Sequence, residues 1–166
     1  MKELKIVSVL AVLVLSLVVI EMKSNAHSLK VGDISFTSMK STTSDGFSIT
    51  TAVKLPPRTK IRFTDSEWNG NHFGFDESDI LWETGNDTIN ANSEIKFTNL
   101  NSTPSVSIGS VYGSMRISKK EDAIFAYTGN ERTPMKILAA CANDEFGFGT
   151  LINTSLTKGT TALLFQ

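Results

Sequence analysis

The chain has 166 residues, 40% of them apolar and 20% charged, with 16 basic residues against 17 acidic ones and a net charge of −1. That balance excludes a disordered polymer, which needs low hydrophobicity and high net charge. It also offers no field for a phosphate backbone, so nucleic acid is not expected as a partner, and the single cysteine, Cys141, excludes an internal disulfide framework.

In chain order, Met1 to Lys5 carries two lysines, and Ile6 to Ile20 is a run of apolar residues and serines, the pattern of a signal peptide. As a helix this run rises about 22 Å, short of the ~30 Å hydrocarbon core. A cleaved signal peptide over residues 1–26 is therefore expected, the alternative being an uncleaved anchor. Ser24-Asn25-Ala26 puts small residues where a signal peptidase reads them, with the mature chain starting at His27 and no lipobox cysteine following. The expected location is secreted or cell-surface, without membrane attachment after cleavage. Loss of Lys2, Lys5, Lys23, Glu3 and Glu21 leaves 13 basic and 15 acidic residues in 140, a charge of −2. A single domain over 27–166 can bury about two-thirds of its unfolded surface.

From Val31 onward the period is two. Phe47, Ile49, Thr51, Val53 and Leu55 alternate with Ser48, Thr50, Ala52 and Lys54, which makes a half-buried strand. Shorter runs of the same kind occur at Ile34 to Phe36, Lys60 to Thr64, Ile80 to Trp82, Glu94 to Thr98, Val106 to Tyr112, Ala123 to Thr128, Lys136 to Ala142 and Thr160 to Phe165. Turn-formers such as Ser44-Asp45-Gly46, Asn69-Gly70-Asn71 and Thr128-Gly129-Asn130 separate them. Pro56-Pro57 cannot donate ladder hydrogen bonds and marks a corner. About nine strands without helical spacing predict an all-β fold, an antiparallel β-sandwich. The last run stops mid-pattern at Phe165-Gln166, so further polypeptide after it is an open expectation. Cys141, inside Ile137-Leu138-Ala139-Ala140-Cys141-Ala142, is expected to be a small buried hydrophobe.

Gly32-Asp33-Ile34-Ser35-Phe36, Ser44-Asp45-Gly46-Phe47-Ser48, and Ile61-Arg62-Phe63-Thr64-Asp65 followed by Trp68 come in one order along the chain. Ile117-Ser118, Glu121-Asp122-Ala123-Ile124-Phe125-Ala126-Tyr127 and Lys158-Gly159-Thr160-Thr161-Ala162-Leu163 follow. Together they resemble a secreted bacterial β-rich module of extracellular proteins, similar to the lamin-tail-like group. The resemblance implies an Ig-like sandwich serving as an accessory or adhesive module, with no catalytic residue. It also places Asp65, Trp68 and Asp122 at pattern positions.

Common catalytic signatures are missing, among them His-Glu-x-x-His, Gly-x-Ser-x-Gly and a phosphate-cradling loop before Lys-Ser/Thr. The only histidines are His27 and His72. The long connection from Asp65 to Trp82 holds two candidate features. Its carboxylates Asp65, Asp76, Glu77 and Asp79 could gather the hard oxygen ligands that calcium requires, or form a solvated acidic loop. No other cofactor is indicated. Its rings Trp68, Phe73 and Phe75, with His72 among glycine and asparagine, could stack on a sugar while amides orient it, or fill the core. Phe73-Gly74-Phe75 and Phe146-Gly147-Phe148 would each set two rings on one face if extended. Asn86, Asn101 and Asn153 begin glycosylation sequons, which act in a eukaryotic secretory route. The expected function is a non-catalytic exported module binding an extracellular glycan or protein surface. The alternative is an accessory fragment of a secreted hydrolase whose catalytic part lies beyond residue 166.

Overall fold

The structure is a computed structural model describing residues 28–165; the expected signal peptide and the start at His27 lie outside these residues. Ten strands follow in order: β1 (Ile34–Lys40), β2 (Gly46–Thr51), β3 (Lys60–Thr64), β4 (Asp79–Glu83), β5 (Glu94–Thr98), β6 (Ser105–Val106), β7 (Ser110–Tyr112), β8 (Ala123–Asn130), β9 (Thr133–Ala142) and β10 (Ala162–Leu164). Among the described residues there is no helix, hence none long and apolar enough to cross a membrane. One sheet runs β1-β2-β5-β6 and the other β10-β9-β8-β3-β4-β7.

The period-two pattern places Phe36, Phe47, Ile49 and Phe97 of the first sheet in one core with Ile61, Phe63, Ile80 and Trp82 of the second. Rings meet across the interface: Phe47 and Phe63 lie 4.8 Å apart, Phe63 and Phe97 5.1 Å, and Trp82 meets Phe97 edge-on at 5.7 Å. Each such buried side chain contributes about 1.5–3 kcal/mol, so this stack of rings holds the two sheets face to face in a sandwich-like arrangement.

Three expectations are refined. The run Val106 to Tyr112 is two strands, because Gly109 adopts a left-handed φ of 84° and lets the chain pass from one sheet to the other. A Cβ there would run into the Glu83 carbonyl. The strand begun at Phe47 ends at Thr51, and Leu55 survives only as an isolated bridge to Ile89. Beyond it the corner forms at Pro56, whose carbonyl accepts from the Thr59 and Thr84 hydroxyls. Finally, not every pairing is antiparallel: β10 runs parallel to β9, with Ala162 opposite Ala140 and Leu164 opposite Ala142.

Strand β8 from Ala123 to Tyr127 and strand β9 from Ile137 to Ala142 are buried on both faces, unlike the half-buried strands around them. Ile124 and Ala126 point into the core between the sheets, whereas Ala123, Phe125 and Tyr127 point the other way, into a second core. Strand β9 does the same, with a bulge where Ala139 pairs with Ala126 but Ile137 pairs with Tyr127. The extra residue lets Leu138 and Ala139 both reach the first core. Cys141 belongs to that core, its Sγ 3.8 Å from Met39 Sδ, and burial pushes its thiol well above the usual range. Native protein should therefore resist thiol reagents, and Cys141→Ala should cost only about 1 kcal/mol for the small void. Rapid labelling before unfolding would show that this reading of Cys141 is wrong.

Candidate functional site

The second core is roofed by two connections, residues 65–78 and 143–161, lying over the outer face of β8 and β9. Asn69-Gly70-Asn71-His72 makes a tight turn: Asn69 Oδ1 accepts from the backbone N–H groups of Asn71 and His72, both at 3.0 Å, and Gly70 supplies a φ of 103°. The turn closes a miniature hairpin in which Trp68 bridges Phe73. Directly opposed residues share a face, so both rings point inward, 5.0 Å apart, with Phe73 also 5.4 Å from Phe125 and 5.2 Å from Tyr127. The other connection is stitched to this hairpin. Trp68 Nε1 donates to the Ile152 carbonyl at 2.8 Å, Thr150 N to the Trp68 carbonyl at 3.2 Å, and Asn153 Nδ2 to the Gly70 carbonyl at 2.9 Å.

The four ring candidates thus divide. Phe73 is fully buried and Trp68 is 6% exposed, so neither can lay its face on a ligand; only the rim of Trp68 reaches the surface. Phe75 is 71% exposed and His72 is exposed beside it, ring centroids 5.7 Å apart. The imidazole is held by a pair of bonds that one tautomer satisfies: Nδ1 donates to the Phe73 carbonyl at 2.9 Å while Nε2 accepts from Asn69 Nδ2 at 2.9 Å. Phe146-Gly147-Phe148 splits in the same way, with Phe146 at 77% and Phe148 at 1% exposure. In both triplets the chain turns rather than extends, which sends the two rings to opposite sides.

The four carboxylates also divide. Asp79 starts strand β4, not a loop, and its buried side chain pairs with Arg62 and accepts from the Tyr127 hydroxyl. Burial raises its carboxyl, against the pull of Tyr127 and Arg62. Asp65 caps the end of the long connection by accepting from Ser78 N at 2.7 Å. It lies near Asp122, a pattern position of the resemblance, whose carboxylate accepts from Ser118 N. Burial carries Asp65 up to about 7 and Asp122 to about 6. Burial and the neighbouring charges of Asp65, Asp122, Asp76 and Glu67 carry Glu77 to about 7. Asp76 stays at the exposed surface. Among the described residues no group of three or more histidine, cysteine or acidic side chains is placed to hold a metal ion. Of the four residues expected as calcium ligands, Asp79 is engaged by Arg62 and Tyr127.

Around the rim of Trp68 lie three shallow depressions of ligand size. One, about 510 Å³, is acidic, with Glu67, Asp76 and Glu77 beside Asn69 and Thr150. A second, about 530 Å³, holds Phe75, His72 and Asn71 on one side and Arg132 of the β8–β9 turn with Pro134 of β9 on the other. The third, about 460 Å³, is flanked by Lys30 and Lys136.

No protein-family model, curated protein or solved structure matches the chain.

The face around Trp68 is the candidate site. Asn69-Gly70 was the sequence signal for the hairpin that orients Trp68 and Phe73, since that dipeptide favours tight turns. Arg132, Pro134, Lys30 and Lys136 carried no local signal, because only the tertiary fold brings them to Trp68.

Proposed function

We propose that the chain is a non-catalytic, exported β-sandwich module of Ig-like, lamin-tail-like type that binds an extracellular glycan through the face around Trp68. The observation that carries this reading is the exposed Phe75 ring beside the fixed His72 imidazole, at the edge of a depression with Asn71, Arg132 and Glu131 around it. A large ring left in water beside amide and charged groups fits the apolar face of a pyranose and its hydroxyls. The buried acids support a non-catalytic role, because the carboxylates of Asp65 and Asp122 are engaged in accepting the backbone N–H groups of Ser78 and Ser118.

The test is a glycan array probed with the protein and with Phe75→Ala. Loss of binding is expected at an unchanged melting temperature, since exposed substitutions usually stay within about 0.5 kcal/mol. Equal binding by the variant, or no glycan bound by either protein, would overturn the assignment.

A further inference from the structure

The depression between Lys30, Lys136 and the turn at Asn153 to Ser155 differs in charge from its neighbours. Among the described residues two lysines and no acidic residue line it, both lysines are exposed, and neither is ion-paired. Three elements far apart in sequence bring the charges together. Gly32 N donates to the Leu138 carbonyl at 3.0 Å, which lays the turn of Lys30 against β9 beside Lys136. The turn is itself closed by Lys30 N donating to Asp33 Oδ2 at 2.9 Å. Opposite stands the 153–155 turn, fixed by Asn153 Nδ2 on the Gly70 carbonyl. Asn153 and Ser155 both take left-handed φ, 63° and 62°, a conformation that costs a non-glycine residue energy and tends to persist where a site requires it. The floor is apolar, with the rim of Trp68 and the buried Ile137, while Met135, also in the lining, is 87% exposed.

We propose that this depression binds the anionic group of an acidic saccharide, with Lys30 and Lys136 as its counter-charges and the apolar floor beneath the sugar ring. The inference rests on the glycan-binding reading above and deepens it. The Phe75 depression and this one share Trp68 and Pro134, so a chain seated on Phe75 would carry its next unit over Pro134 to the two lysines. Charge-assisted bonds from ammonium to carboxylate or sulfate are the stronger kind, and an uncharged unit would leave both cations without a partner.

The test titrates the protein with oligogalacturonate, dextran sulfate and neutral dextran, following tryptophan fluorescence and heat of binding. Oligogalacturonate or dextran sulfate should bind about tenfold or more tightly than dextran, with the gap closing as salt rises, and the two acidic ligands distinguish carboxylate from sulfate. In Lys30→Gln/Lys136→Gln the preference should vanish at an unchanged melting temperature, because both side chains are exposed. Saccharide binding that ignores charge, or an acidic preference that survives in the double variant, overturns this inference while leaving the Phe75 reading intact. Binding of no saccharide overturns both.

Discussion

Trp68→Ala is expected to lower stability by about 3–5 kcal/mol, the cost of truncating a large buried aromatic side chain. The ring is wedged against Phe73, and its loss also strands the Ile152 carbonyl, the acceptor for Nε1. In a domain of this size the change corresponds to a fall of about 10–20 °C in melting temperature. Urea denaturation at fixed pH measures it directly. A loss below about 1 kcal/mol would make Trp68 a surface ring and undo the two-core description. Phe75→Ala, seven residues away, is the control, because that ring has nothing to lose from the core.

The second large effect is a decline in stability as pH rises. Asp65 and Asp122 have an ordinary carboxyl value of 3.8, and the fold lifts them to about 7 and about 6. Desolvation is the main cause in both, and the proximity of Asp122 raises Asp65 further. A raised carboxyl binds its proton more tightly in the native state than in the unfolded chain. Its contribution is therefore fully present below pH 3.8 and is lost as pH climbs through the folded values. The expected loss between about pH 4 and about pH 8 is on the order of 2–4 kcal/mol, with water penetration reducing the full electrostatic cost. Glu77 shifts the same way but is exposed, so screening leaves it a minor part. Asp65→Asn keeps an oxygen acceptor for Ser78 N while removing the charge, and should flatten the profile. Urea midpoints that stay level or rise over this interval would contradict the placement of these two acids.

Much of the sandwich was legible because alternation reports burial on one face. The runs Lys60 to Thr64 and Glu94 to Thr98 coincide with β3 and β5. Legibility failed where a conformation rather than a pattern decided the outcome. Val106 to Tyr112 alternates well enough, yet Gly109 turns it from one sheet to the other. It failed again in the outer layer, whose residues are irregular and whose partners are distant: Trp68 answers to Ile152, and Asn153 to Gly70. Periodicity has nothing to say about such segments. The acidic residues of the long connection looked like one cluster because they are near in sequence. Strand β4 then takes Asp79 to Arg62 and Tyr127, while the fold brings Asp65 to Asp122. Of the candidate ring site, Phe75 and His72 remain at the surface, and Trp68 and Phe73 became its foundation.

The parallel pairing of β10 with β9 has a consequence for the order in which the molecule assembles. Parallel neighbours demand a crossover of a dozen residues or more, a task that a helix usually performs. Here irregular chain takes the helix's place, burying Phe148 and packing Leu151 and Leu156 over Phe125 and Tyr127. The β8–β9 hairpin is local and can nucleate early, with Glu131 and Arg132 between its facing residues Asn130 and Thr133. Strand β10 finds its register only after that crossover has been laid down, and the entropy of closing so long a loop falls on this last step. Nascent chains that have paired β8 with β9 but laid down neither the 65–78 connection nor the crossover would expose Phe125, Tyr127 and Ala140, an apolar strip along two central strands, and that strip is where self-association during folding would begin.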